Sequence, residues 1–345
     1  MKRLVTFLLI IIALPLLVMW WWRDATIAPS TDKIYYPFVI IKGESASQIG
    51  DELEKQGFIR SSLAFKVYVS IADRTKKIPA GDFRITKNLP LPQLVAELIR
   101  GPVALWVTIP EGFRREEIAQ KIATALELTS EKQQIFLKEF MKESQGMEGF
   151  LFPDTYLLSR NATAGAVVKK LRDTFDKKVS ADIISQAKQQ DLTLEKLVTL
   201  ASIIERETRT DEERPIVAGI LLKRIKAGWP LQADATLQYA VVNLKCLPAQ
   251  AGQISQPKAG RHLDENCSWW EPATVADKKI NSPYNTYLHR GLPPGPIASP
   301  GLSSIKAAAS PQDSPYWFYL HDNTGQIHYA ANSEEHQQNI DKYLL

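Results

Sequence analysis

The sequence predicts an α+β fold behind one N-terminal membrane helix. Three observations carry this. An apolar run opens the chain, short strand–glycine–helix units follow it, and from about Thr129 the pattern is helical almost to the end. The 345 residues suffice for one large domain or two to three smaller ones. A hydrophobic fraction of 45% and a charged fraction of 23% are those of a globular chain with a sizeable core. The net charge of +4 is small, and no Lys/Arg cluster interleaves with aromatics, so nucleic acid is not an expected partner.

The opening "MKRLVTFLLIIIALPLLVMWWWRD" places Lys2 and Arg3 before about nineteen apolar residues, Leu4 to Trp22, a length that suits the hydrocarbon core. Trp20, Trp21 and Trp22 fit the interfacial belt, and Pro15 is tolerated in a membrane helix. The two basic residues favour a cytoplasmic N-terminus, which puts the remainder across the membrane. A cleaved signal peptide is the alternative. No small-x-small site follows the run, and tryptophans stand where one would be. The expected organisation is therefore a tip and anchor over 1–23 and a polar linker over 24–34.

From residue 35 the elements come in order. "YYPFVII" predicts a strand, Gly43 a turn, and "SASQIGDELEKQG" a helix stopped at Gly57. "SSLAFKVYVSIA" predicts a helix, "AGDFRIT" a strand, and "PLPQLVAELIRG" a helix ended by Gly101. "VTIPEGFRREEIAQKIATAL" repeats the strand, glycine turn and helix, with Ile118 six residues after Gly112 as Ile49 is after Gly43. A small α/β module is expected over 35–128, and a mainly helical domain over 129–345. In that domain "SEKQQIFLKEFMKES" predicts a helix capped by Ser130. "GMEGFLFPDTYLLS" has little helical period. "AGAVVKKLRDTFDKKVSADIISQAKQQ" reads as one helical stretch, and "TLEKLVTLASIIERET" as another. "DEERPIVAGILLKRIKAG" has acids in its first turn and Lys/Arg in its last, as the helix dipole favours. "YWFYLHDNTGQIHYA" predicts a hairpin turning at Asn323, Thr324 and Gly325, and "SEEHQQNIDKYL" a closing helix capped by Ser333.

Cys246 and Cys267 are the only two cysteines. Across a bacterial membrane the compartment is oxidising, and a disulfide is expected between them. It would close a loop of about twenty residues and contribute roughly 3 kcal/mol. Two thiols and His262 do not make a four-ligand zinc site. His321 and His328 flank the hairpin turn, and His289 and His336 are scattered; no HExxH spacing or G-x-S-x-G elbow occurs. No metal is expected.

"LASIIERET" holds the residue that stands out. With Leu194 at zero on a helical wheel, Val198 falls at roughly 40°, Ala201 at roughly 340°, Leu197 at roughly 300° and Ile204 at roughly 280°. Glu195, Lys196, Thr199, Ser202 and Arg206 form the polar face. Glu205 lands at roughly 20°, inside the apolar arc, and Glu207 at roughly 220°, where it reads as a solvated acid. A carboxyl on an apolar face favours its protonated form unless a cation sits beside it, and a protonated carboxyl is what a glycosidic oxygen needs as proton donor. A glutamate at a helix end, where water begins, is the plainer alternative on the wheel alone.

"LASIIERET", with "EGFLFPDTY" before it and "NSPYNTYLHRGLPPGPIASPG" after it, resembles the endolytic murein transglycosylases, the YceG-like family. "LQADATLQYA" and "ANSEEHQQNIDKYL" extend the likeness over nearly the whole chain. The resemblance implies an N-terminal anchor, a LysM-like module and a lytic-transglycosylase-like catalytic domain. The link between Cys246 and Cys267 looks longer than the family's pattern.

The implied activity is endolytic cleavage of peptidoglycan glycan strands between N-acetylmuramic acid and N-acetylglucosamine. The first acid of "ASIIERET", Glu205, would protonate the glycosidic oxygen and then take the proton of the muramic C6 hydroxyl, giving a 1,6-anhydro end. No cofactor is implied. Tyr284, Asn285, Thr286 and Tyr287 are candidates to contact sugar; Gln232, Asp234 and Thr236 to orient Glu205 or touch substrate. Each has the alternative of packing with its polar groups satisfied. The expected setting is the bacterial inner membrane, crossed once, with a periplasmic catalytic domain, glycan strands as substrate and peptidoglycan synthases as associates. A lysozyme-like hydrolase and a non-catalytic glycan-binding scaffold are the competing readings.

Overall fold

The computed structural model describes residues 2–41, 43–71, 78–246 and 268–344, with side chains from Ala13 onward. The chain forms two compact units. The first is Met1–Val107 with Tyr156–Asn161; the second is Thr108–Thr155 with Ala162–Leu345.

The first unit contains α1 (Lys2–Thr26), β1 (Tyr36–Ile40), α2 (Ala46–Lys55), α3 (Ser62–Ile71), β2 (Gly81–Ile85), α4 (Leu91–Arg100) and β3 (Ala104–Thr108). With β4 (Thr155–Ser159) the strands make one sheet in the order β1-β2-β3-β4. β1 and β2 are antiparallel, with Phe38 opposite Phe83. Their alternation buries Phe38, Ile40, Phe83 and Ile85 on one face. Ile49 and Leu53 of α2, Phe65 and Val69 of α3, and Leu94 and Leu98 of α4 cover that face. A Ser45–Gln48 capping box starts α2, as its spacing allows. Among the described residues, no helix is long and apolar enough to cross a membrane. Much of the run 4–22 lies outside those whose side chains are described.

The second unit is helical: α5 (Arg115–Ala125), α6 (Ser130–Glu143), α7 (Ala164–Lys178), α8 (Ala181–Gln189), α9 (Leu194–Glu207), α10 (Glu213–Lys226), α11 (Asp234–Cys246) and α12 (Leu302–Ala309). A hairpin of β5 (Phe318–His321) and β6 (Ile327–Ala330) and the final α13 (Ser333–Tyr343) complete it. Four details differ from expectation. The stretch 164–190 is two helices, because Ser180 caps a new one by accepting from the Ile183 N–H. β4, α11 and α12 form where no element is expected. Thr129, not Ser130, stands at the N-cap of α6, and Asn332, not Ser333, at that of α13.

α9 packs against α8, α10, α11 and α12. Thr199 and Ser202, on the face expected to be polar, are buried like Leu197, Val198 and Leu200. The Thr199 hydroxyl donates to the Glu195 carbonyl; that of Ser202 donates to the Thr199 carbonyl and accepts from the Ile297 N–H at 3.0 Å. Short hydroxyl side chains thus let a formally amphipathic helix sit in the interior. Cys246 ends α11; Cys267, and with it the expected bridge, lies outside the described residues.

Candidate active site

Glu205 stands in the last turn of α9 with its side chain 7% exposed. Its Oε2 accepts two hydrogen bonds, from the Gly301 N–H at 2.9 Å and the Ser304 hydroxyl at 2.7 Å. Oε1 faces the Arg214 guanidinium, with Nη2 at 3.2 Å. Gly301 is the N-cap of α12, so the positive end of that helix points at the carboxyl. The proviso attached to an apolar-face carboxyl is met: a cation does sit beside it.

Three motif segments converge to build this. The Gly112 N–H donates to the Ser299 carbonyl at 2.9 Å, and the Ser299 N–H to the Phe113 carbonyl at 2.8 Å. That short ladder joins "PEGF" to "IASPG". Gly149, from "EGFLFP", lies against α9 and the same loop. A Cβ on it would be 2.5 Å from Pro296 Cβ and 2.8 Å from Val198 Cγ1, and its φ of +80° already favours glycine.

A second carboxyl belongs to the site. Glu111 Oε2 is 3.8 Å from the same Arg214 Nη2 that meets Glu205. Burial, and then the Glu205 charge, push its pKa up, while Arg214 opposes them. Asp211 also pairs with Arg214, so one guanidinium faces three carboxyls. On the other flank, Arg206 stacks on Trp270 with its guanidinium 3.8 Å from the ring centroid, and Trp270 Nε1 donates to Glu117 at 2.9 Å.

Glu207 is not the solvated acid expected. Its carboxyl accepts from the Tyr319 hydroxyl at 3.0 Å and from the Ala235 N–H at 3.5 Å, and burial pushes its pKa up. Of the expected binding residues, Asp234 and Tyr287 lie on this side. Asp234 accepts from the Tyr287 hydroxyl at 2.6 Å, and its charge bears on Glu207. Thr236 and Thr286 are buried and joined hydroxyl to hydroxyl at 2.8 Å. Asn285 is buried, its amide donating to the carbonyls of Lys278 and Ile280. These three hold the loop together. Tyr284 packs on Tyr239, ring centroids 4.8 Å apart. Gln232, with φ of +54°, donates its N–H to the Thr286 carbonyl and lines a separate cleft of about 470 Å³ with Arg224, Trp229, Arg290 and Phe318.

The sequence reading missed Arg214, Glu111, Gly301 and Ser304. Arg214 had a readable signal: a cation in the first turn of α10 stands against the helix dipole. Glu111 had a weaker one, its place between strand and glycine in the second strand–glycine–helix copy.

Fold and site together define an α+β protein with a nearly enclosed glutamate carboxyl beneath a guanidinium. The chain belongs to the YceG-like family, whose model matches residues 38–342. A Streptococcus pneumoniae protein named endolytic murein transglycosylase is 29% identical over 349 residues, covering 91% of this chain. The chain spans 59% of that relative's length. A Bacillus subtilis protein of the same name is 29% identical over 328 residues, covering 88% of this chain and 84% of its own. The crystal structure of a yceG-like protein from Listeria monocytogenes matches 89% of this chain and 99% of its own, with a TM-score of 0.55 and 25% identity.

Proposed function

We propose that the chain cuts peptidoglycan glycan strands internally, at the β-1,4 bond from N-acetylmuramic acid to N-acetylglucosamine, and leaves 1,6-anhydro ends. The observation that carries this is the Glu205 carboxyl, nearly enclosed beneath Arg214, the Gly301 N–H and the Ser304 hydroxyl. The name shared by the pneumococcal and Bacillus relatives supports the same chemistry.

Oε2 already accepts two donors, so a proton has its place on Oε1, which carries only the longer contact to Arg214. That proton passes to the glycosidic oxygen as the bond from C1 breaks. The ionised carboxylate is held by the two donors and the guanidinium as charge develops. It then takes the proton of the C6 hydroxyl while that oxygen bonds to C1. Glu205 regains its proton and no water is consumed.

The apolar run 4–22 and the strongly exposed Leu14, Leu16, Leu17, Val18 and Met19 of α1 support an inner-membrane anchor with the catalytic unit outside the cytoplasm. An anchor would hold the site beside nascent strands and their synthases, so that cutting ends their growth. The part of 35–128 that lies in the first unit, 35–107, would be a LysM-like module, while 108–128 belongs to the second unit.

A hydrolase is the second reading, because Glu111 beside Glu205 supplies the second carboxyl that water-mediated cleavage uses. Mass spectrometry of strands digested by the purified chain separates the two: anhydro ends for the proposal, reducing ends for hydrolysis. A non-catalytic scaffold predicts that Glu205→Gln keeps all cellular function.

A further inference from the structure

We propose that Glu111 and Glu205 work as one acid pair holding a single proton around Arg214, with Glu111 the positioning residue that keeps this proton in the site and Glu205 the group that delivers it. This rests on the catalytic reading of Glu205.

The geometry comes first. Both carboxyls meet one nitrogen, Arg214 Nη2, at 3.2 and 3.8 Å. Arg214 is itself enclosed and also pairs with Asp211, so a single positive charge serves three carboxyls. On α9 the Arg206 guanidinium also feels Glu205, but it is shared with Glu117 and Glu207. The charge of Glu205 accordingly favours the protonated form of Glu111, beside the effect of burial.

The Glu111 carboxyl stands against Gly301. The Gly301 φ of −71° is open to any residue, so backbone conformation does not call for glycine. A Cβ there would lie 1.9 Å from Glu111 Oε1 and 2.2 Å from its Cδ, so a side chain at this position would displace the Glu111 carboxyl. The residue whose N–H holds Glu205 is thus bare on the side where Glu111 stands.

The two carboxyls differ in environment. Glu205 is held by three groups, the Gly301 N–H, the Ser304 hydroxyl and the Arg214 guanidinium. Among the described residues, half-exposed Glu111 meets only the longer Arg214 contact, so it is the better resting place for the proton. Such a pair titrates as a unit, and the proton leaves in a step belonging to both groups. Glu111 is open to solvent, so equilibration between the two needs no relay. The pair retains a proton at a pH where a lone carboxyl under a guanidinium has no reason to.

The test is the pH–rate profile of strand cleavage by the full-length chain in detergent, for wild type, Glu111→Gln, Glu111→Asp and Gly301→Ala, with Glu205→Gln as reference. Glu111→Gln is expected to move the alkaline limb of kcat down by about one pH unit, an approximately tenfold loss above that limb, with activity recovered at acid pH. KM is expected to change little. Glu111→Asp should restore most of the wild-type profile, and Gly301→Ala, which takes the Glu111 space, should reproduce the shift. A Glu111→Gln profile that superimposes on wild type, or falls equally at every pH, overturns the pair. Cleavage by Glu205→Gln at the wild-type rate overturns instead the reading on which the pair rests.

Discussion

Ser304 donates its hydroxyl to the Glu205 carboxyl across 2.7 Å, tying the first turn of α12 to the last turn of α9. Neither helix makes the site alone. α9 brings the acid, α12 brings a hydroxyl and its own positive end, and the Gly112–Ser299 bond sets the loop between them. Ser304→Ala removes one donor from Oε2 and leaves the Gly301 N–H. A hydrogen bond to a charged group is worth ~1.5 kcal/mol, so cleavage should slow about tenfold. Steady-state rates and a melting curve check this; the melting temperature should stay near wild type.

Arg214 offers a sharper separation of stability from turnover. Arg214→Met leaves buried Glu205 without its cation and should lower the unfolding free energy by ~3 kcal/mol. Arg214→Lys keeps the charge but loses the planar fork that meets three carboxyls, so it should recover most of the stability and little of the rate. Denaturant titration and kcat measured on both variants distinguish these effects.

Gly149→Ala should destabilise the catalytic unit by about 1–3 kcal/mol. The new Cβ meets Pro296 and Val198 at distances that force a shift, in a backbone conformation that L residues rarely adopt. The strained loop also carries Gly301, so turnover should fall with stability. A variant as stable and active as wild type would contradict the close approach.

Glu148 predicts a pH dependence of folding. Burial first, then the charge of Glu116, raise its pKa from 4.5 to about 8, while Arg115 and Arg114 oppose. Between these limits the unfolded chain has released a proton that the folded chain retains, so the unfolded state binds fewer protons and stability falls as pH rises. The contribution is full below about pH 4.5 and lost as pH climbs through about 8. Glu148→Gln should flatten this slope and stabilise the protein most at the alkaline end. Denaturation midpoints at about pH 5 and about pH 8 for both proteins test the sign.

Much of this was legible from period and punctuation. The strand and helix of "YYPFVII" and "SASQIGDELEKQG" were there in an apolar run, a glycine turn at Gly43 and a glycine stop at Gly57. Glu205 was visible because its helical phase disagreed with its polarity. Glu207 was misjudged for the converse reason. Its phase is polar, but that face is covered by the hairpin's Tyr319 and the start of α11, contacts made by residues far along the chain. α12 escaped notice because "LSSIKAAAS" is short and follows a run dense in proline and glycine. The residues around Glu205 come from three other segments, so no local pattern could assemble them. In "SPYNTY" the polar groups of Asn285 and Thr286 turned inward to hold the loop, a use that residue type alone does not separate from sugar binding.

The most direct test of the account is the mass of the products when purified full-length chain and its Glu205→Gln variant each digest isolated glycan strands. Internal cuts ending in 1,6-anhydro muramic acid are expected for the wild type, and intact strands with unchanged fold for the variant. Reducing ends from the wild type, or anhydro ends from the variant at the wild-type rate, would contradict it.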